Sequence, residues 1–145
     1  MAFFKFPSEL RARHALIVEA DRGLREDIGN SLRYFGLEKV TLFGSGFEAR
    51  KSLHSGLPFD LVLMELMLPG VSGLDLIRFI RKEEHLEDLP ILVMTDEVTR
   101  EIVQEVSRLG ISGLLLKPIS TRDIAEKILN VLRSKAPQSD KRLVS

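Results

Sequence analysis

The stretch that decides the fold is DLVLMELMLPGVSG at residues 60–73, where a predicted strand is followed by a turn. Positions 60–64 form a nearly continuous apolar run, which is typical of a strand buried on both faces. The letters PGVSG at 69–73 predict a turn. Apolar residues then recur at helical spacing as far as Ile80, so the stretch predicts one strand–turn–helix unit.

The same alternation of strand, turn and amphipathic helix occurs five times along the chain. A helix is predicted after every strand, and the last one begins with Ser120 as its N-cap, three residues before Asp123. Repeated units of this kind favour parallel strands with right-handed crossovers and helices on both sheet faces. The predicted class is α/β, a single doubly wound domain. The predicted strands are His14–Val18, Lys39–Phe43, Asp60–Met64, Pro90–Met94 and Leu114–Leu116.

The composition limits the classes of function. The chain has 145 residues, which suits one domain, and its 21 basic residues equal its 21 acidic residues. That balance gives no net field for nucleic acid or an anionic membrane, so neither is expected as a partner. The absence of cysteine fits a reducing compartment. No signal-peptide or membrane-spanning run is present, and a cytoplasmic location is expected.

Three regions are expected along the chain: an N-terminal arm at 1–13, the domain at 14–133, and a flexible tail or linker stub at 134–145. The arm carries Phe3, Phe4 and Phe6. Three exposed phenylalanines are unusual in a soluble monomer. We therefore expect the arm either to pack on its own domain or to contact a second copy or a partner.

Polar side chains follow the predicted strands where an α/β sheet binds its ligands, outside the carboxyl ends of the strands. Glu19 follows the first strand, Glu65 the third, Thr95 the fourth and Lys117 the fifth. Carboxylates suit Mg²⁺, and a hydroxyl with an ammonium suits phosphate oxygens. The pattern predicts a site that handles a phosphoryl group.

Four segments together resemble the receiver domains of bacterial two-component response regulators: LIVEAD at 16–21, FDLVLMELMLPGVSG at 59–73, PILVMT at 90–95 and GISGLLLKP at 110–118. The resemblance covers residues 14–132. It implies the CheY-like, flavodoxin-like fold with strand order 2-1-3-4-5. It also implies a phosphorelay in which a histidine kinase passes a phosphoryl group to an acidic residue at the end of the third strand, with Mg²⁺ bound beside it.

Carried over by position, the resemblance places the phosphoacceptor on Glu65. It places the phosphoryl-contacting hydroxyl and ammonium on Thr95 and Lys117. The metal ligands fall on Glu19, Glu65 and the backbone carbonyl of Met67.

The sequence departs from the family pattern at four positions. Glu65 stands in place of aspartate, and its extra methylene moves the carboxylate about 1.5 Å outward, where in-line transfer tolerates little displacement. Ala20 replaces an acidic metal ligand, so Mg²⁺ binding is expected to be weak or absent. Asp96 stands where receivers usually keep a small residue. Leu114 replaces the aromatic residue that many receivers use as a switch.

These departures predict an atypical receiver, a pseudo-receiver that is not an enzyme and acts through protein contacts. Lys117 is expected to pair permanently with Glu65, so that the carboxylate stands in for an aspartyl phosphate. The expected partners are a histidine kinase or another signalling protein. A homodimer through helix four, strand five and helix five, or through the aromatic arm, is also considered. Two alternatives stay open: a Mg²⁺-dependent phosphoacceptor response regulator, and a flavin-binding module on the same fold.

Residues with other possible chemistry are assigned ordinary roles. His14, His54 and His85 lack metal-ligand spacing and are expected at the surface. Met64 and Met67 are expected to pack in the core beside the third strand.

Overall fold

The computed structural model of the protein describes residues 4–135 and has a five-stranded parallel sheet in the order β2-β1-β3-β4-β5. The class, the strand order and the placement of helices after each strand are confirmed. The strands are β1 (His14–Val18), β2 (Lys39–Phe43), β3 (Leu61–Glu65), β4 (Ile91–Thr95) and β5 (Gly113–Leu116). The helices are α1 (Arg22–Tyr34), α2 (Gly46–His54), α3 (Gly73–Lys82), α4 (Arg100–Arg108) and α5 (Thr121–Arg133).

Strands β3 and β4 both begin and end one residue later than predicted, so that Glu65 and Thr95 are their last residues. The side chain of Asp60 accepts a hydrogen bond from the His14 backbone nitrogen at 2.8 Å instead of extending the strand. Pro90 has no N–H to donate. Both functional side chains are thus held by a strand rather than by the following loop.

The helices cover the sheet on both faces and form two cores. Helices α1 and α5 bury residues such as Ile28, Leu32 and Ile128 on one face. On the other face, α2 and α3 bury residues such as Leu53, Leu76 and Ile80. The central strands β3 and β4 are buried along their whole length. Their apolar runs are explained by this double burial.

Side-chain caps fix where the helices begin. The predicted Ser120 cap is confirmed, since its side chain accepts a hydrogen bond from Asp123 N, and Asp21 caps α1 by accepting one from Gly23 N. Capping satisfies backbone donors that have no partner within the helix. The first residues after β1 and β5 are thereby locked close to the carboxyl edge of the sheet.

The N-terminal arm packs on its own domain. Phe6 is completely buried in the core beneath α1 and α5, and its backbone nitrogen donates to Phe35 O at 2.8 Å. The ring of Phe4 lies edge-on against Phe6 and Phe35, at 5.5 and 5.1 Å between centroids. Phe3 and positions 136–145 lie outside the described residues. The division of the chain at 13 and 133 stays a prediction.

His14 is not a surface residue, contrary to the expectation. It lies half-buried in β1, where its Nε2 is 2.7 Å from Thr41 Oγ1 and its ring packs against Phe59. Burial lowers the pKa of His14 below its ordinary value of 6.5. This effect is larger than the raising effect of the Asp60 charge, and the Lys39 charge lowers the pKa further. Histidine side chains in the unfolded chain therefore bind protons more readily than His14 does in the folded chain.

This difference predicts how His14 contributes to stability as the pH changes. The unfolded state takes up the extra proton as the pH falls through the unfolded value of 6.5, so the contribution is present above 6.5 and is lost below it. We expect urea unfolding from pH 7.5 to 5 to show a steeper loss of stability for the natural chain than for His14→Gln. Equal slopes would contradict the burial of this ring.

Candidate functional site

The polar residues predicted from the strand ends lie at one edge of the sheet. Glu19 follows β1, Glu65 ends β3, Thr95 ends β4 and Lys117 follows β5. Parallel pairing brings these ends together, since β1 and β4 both lie beside β3, and β5 lies beside β4. The crevice at the carboxyl edge is where open α/β sheets bind ligands.

The centre of the site is an ion cluster of Lys117 with two glutamates. Lys117 Nζ donates to Glu19 Oε1 at 2.6 Å and to Glu65 Oε1 at 3.1 Å. The second oxygen of each carboxylate is also bonded: Glu19 Oε2 accepts from Asp21 N at 3.0 Å, and Glu65 Oε2 accepts from Leu66 N at 2.8 Å. Internal donors therefore engage all four carboxylate oxygens.

Burial makes this cluster more than a surface ion pair. Glu19 is 2% exposed and Glu65 is 7% exposed, and only 18% of the Lys117 side chain reaches solvent. Burial alone acts to lower the pKa of Lys117, but hydrogen bonds and charge interactions with Glu19 and Glu65 outweigh it and raise that pKa. The ammonium is thus held in its charged form between the carboxylates. Glu19 is therefore a buried member of the site and not part of a solvated turn.

Backbone contacts fix the position of each glutamate. Arg25 Nη1 on α1 donates to the carbonyl oxygens of Glu19 and Ala20, at 2.7 and 3.3 Å. The guanidinium occupies space above Gly44, where an added Cβ would lie 2.7 Å from the same nitrogen. Sequence reasoning missed Arg25, because a basic residue in the first turns of a helix carries no signal of this contact.

The first residue of α3 packs closely against the backbone that follows β3. A Cβ added to Gly73 would lie 2.7 Å from both Cα and O of Leu66. Gly73 N donates to Leu66 O at 2.9 Å, and Leu66 N donates to Met94 O at 2.8 Å. The backbone that carries Glu65 is therefore held between α3 and β4.

Thr95 is completely buried, but its hydroxyl bonds locally. Thr95 Oγ1 lies 3.2 Å from Glu97 O and 3.3 Å from Glu97 N. Helix α4 is capped by Thr99 and not by Thr95. The backbone ties Thr95 to the site, since Lys117 N donates to Thr95 O at 2.8 Å. The Lys117–Pro118 peptide is cis.

The remaining positions surround the cluster. Ala20 and Asp96 are exposed, and Leu114 is partly buried against the core beneath α3 and α4. Met64 is buried as expected, but the expected packing of Met67 is wrong, because this residue is 63% exposed. The loop after β3 turns its side chain outward, and nothing in the structure tests the metal role of its carbonyl.

Magnesium does not fit the donor set as it stands. Mg²⁺ requires near-octahedral oxygen ligands, and here Lys117 holds one oxygen of each glutamate while backbone N–H groups hold the others. Ala20 supplies no carboxylate. Among residues 4–135, no group of three acidic, histidine or cysteine side chains is arranged to hold a metal ion. A cation would have to share these oxygens with the Lys117 ammonium, whose positive charge opposes its entry.

Two elements near the site carry exposed apolar residues. Val103 on α4 is 40% exposed and Leu116 on β5 is 57% exposed. Strand β5 is an edge strand, paired only with β4.

Across residues 4–135, none of the helices combines the length and apolarity that a membrane span requires.

Comparisons with known proteins agree with this geometry. The family model for the response regulator receiver domain matches residues 15–129. The chain is 35% identical over 113 residues to the chemotaxis protein CheY of Pseudomonas aeruginosa, covering 78% of this chain and 90% of that protein. The non-phosphorylated HemR receiver domain from Leptospira biflexa is 29% identical with a TM-score of 0.77, covering 86% of this chain and 98% of that one.

A receiver protein from Pseudomonas putida gives a similar result, at 29% identity and a TM-score of 0.75 over 82% of this chain and 97% of that one. The matched region begins at the second residue of β1, includes the other four strands and α5 as far as Leu129, and contains every residue of the ion cluster. The chain belongs to the response regulator receiver domain family of two-component signalling.

Proposed function

We propose that the chain is a pseudo-receiver, a two-component signalling module whose state is set by the cluster of Lys117, Glu19 and Glu65 instead of by phosphotransfer. It has no catalytic role. Its output is a contact with a histidine kinase or another signalling protein, which are the kinds of protein that receiver domains bind. The observation that supports the proposal is the engagement of all four carboxylate oxygens by internal donors.

The length of the Glu65 side chain is what allows this arrangement. Its carboxylate reaches Lys117 directly, at 3.1 Å, and pairs with the ammonium that an incoming phosphoryl group would need. Glu19 contributes the second negative charge to the same ammonium, at 2.6 Å. Charge-assisted hydrogen bonds of this kind are stronger than neutral ones. The cluster therefore resists displacement by Mg²⁺.

The proposed output surface combines α4, β5 and α5, a region that receivers commonly use for contacts. Its exposed apolar residues, Val103 and Leu116, suit the centre of an interface. Leu114 replaces the usual aromatic switch residue and is held against the core. Without an aromatic residue that changes position, this surface keeps a single conformation under the proposal. The same face is also the one proposed for a homodimer.

Beryllium fluoride with Mg²⁺ tests the proposal, because it mimics the aspartyl phosphate of receivers that accept a phosphoryl group. We expect no shifts of the amide NMR signals of Glu19, Glu65, Thr95 and Lys117 in the natural chain at millimolar additions. The variant Ala20→Asp/Glu65→Asp shortens one carboxylate and restores another. It should gain saturable shifts at these four positions.

The variant Ala20→Asp/Glu65→Asn is the matched control, since it restores the metal ligand without the acceptor carboxylate and should not respond to beryllium fluoride. Saturable shifts in the natural chain would contradict the proposal and favour the Mg²⁺-dependent phosphoacceptor. Phosphate incorporation from acetyl phosphate, measured by intact mass, gives the same decision independently.

A further inference from the structure

The outer face of α2 carries a stripe of exposed side chains without an assigned role. Phe47, Arg50, Lys51 and His54 are spaced 3, 1 and 3 residues apart, which places them on one side of a helix. All four are exposed, and Phe47 is 62% exposed despite its size. We call these four residues the α2 stripe. Its order is one aromatic residue followed by three basic ones.

A groove of about 420 Å³ separates the α2 stripe from α3, where Phe79 and Glu83 form the opposite wall. The guanidinium carbon of Arg50 lies 5.4 Å from the centroid of the Phe79 ring. A cation over an aromatic face at this distance is attracted to the ring, which holds the guanidinium in place. The groove thus has a preformed cationic and aromatic wall.

The charges of the groove are unbalanced, although the whole chain is neutral. Arg50 and Lys51 are positive, and within residues 4–135 neither lies within 4 Å of a carboxylate oxygen. Among the described residues that line the groove, Glu83 is the only acidic one. Its Oε1 lies 3.7 Å from His54 Nδ1, so its charge faces the far end of the stripe. Glu48 follows Phe47 on α2, but its carboxylate accepts a hydrogen bond from Ser45 Oγ at 3.3 Å and is not part of the groove lining. Arg50 and Lys51 therefore give the groove an excess of positive charge.

We propose that the α2 stripe and its groove bind an acidic segment of a partner protein that carries an aromatic or large apolar side chain. The acidic groups would pair with Arg50 and Lys51, and the apolar side chain would cover Phe47 and Phe79. Aromatic residues and arginine are the types that carry most binding energy in protein interfaces. None of these residues belongs to the ion cluster or to the α4–β5–α5 face.

A second copy of the chain does not suit this surface. A twofold contact through the α2 stripe would set this predominantly positive patch against an identical patch on the other copy. Like charges placed together oppose association. The complementary occupant therefore carries negative charge where this chain carries positive charge.

A displayed library of random 12-residue peptides tests the proposal. Peptides that bind the variant Arg50→Glu/Lys51→Glu, which changes two exposed residues, are first removed from the library. The remaining peptides are then selected on the immobilised full chain. Enriched peptides should contain several acidic residues and an aromatic one. When synthesised, they should bind the natural chain about tenfold more tightly than the double variant, and less tightly as salt increases.

Arg22→Glu is the control, because it reverses an exposed charge on α1, outside both the α2 stripe and the α4–β5–α5 face, and it should change affinity less than about twofold. Circular dichroism and urea unfolding verify that both variants fold. The proposal is overturned by an absence of enrichment, by peptides without acidic bias, or by equal binding to the double variant. Sedimentation showing a dimer that the double variant abolishes would also overturn it, in favour of a second copy.

Discussion

Lys117→Ala should reduce the free energy of unfolding by about 3–5 kcal/mol at pH 7.5, because it leaves two buried carboxylates without their shared cation. Glu19 and Glu65 are 2% and 7% exposed, so water cannot replace the ammonium fully. Urea unfolding followed by circular dichroism at pH 7.5 measures the effect.

The triple variant Lys117→Met/Glu19→Gln/Glu65→Gln provides the control for this result. It removes every charge of the cluster and keeps side chains of similar volume, so its stability should lie within about 2 kcal/mol of the natural chain. A Lys117→Ala deficit below 1 kcal/mol would show that the cluster is effectively solvated.

Phe6→Ala should reduce the free energy of unfolding by about 3–5 kcal/mol, although the residue lies outside the region that the family model matches. The ring is completely buried between α1 and α5, and removing it leaves a cavity in a core that cannot collapse freely. Guanidinium chloride unfolding should show a lower midpoint with little change in slope.

Phe47→Ala is the matched comparison, since the same side chain is 62% exposed there and its loss should cost less than about 0.5 kcal/mol. A Phe6→Ala cost below 1 kcal/mol would mean that the arm does not stay packed in solution. In that case the contact with a second copy or a partner becomes the better explanation of the aromatic arm.

The strands and helices were predictable because their sequence signals are local. Each buried strand is a short apolar run, and Asp21 and Ser120 are residue types that cap helices in this context. The strand boundaries were less predictable. Whether Asp60 belongs to β3 depends on its hydrogen bond to the His14 backbone, a contact between residues 46 positions apart.

The members of the ion cluster were also predictable, but their pairing was only partly so. Glu65 and Lys117 were expected to meet because both end up at the carboxyl edge. The shorter contact, between Glu19 and Lys117 at 2.6 Å, was not expected, because Glu19 was assigned to metal binding. Arg25 was missed entirely. Such contacts depend on side-chain rotamers and on the relative height of neighbouring strands, which local patterns do not encode.

The cation of the cluster is part of the polypeptide, and this has a consequence for timing. A phosphoryl group on a carboxylate is eventually removed by water, so the rate of this hydrolysis limits how long a phosphorylated receiver stays active. The Lys117 ammonium has no bond that hydrolysis can break, and it remains between Glu19 and Glu65 as long as the chain is folded. Under the proposed function, the duration of the signal equals the lifetime of the protein. Synthesis and proteolysis then start and stop the output.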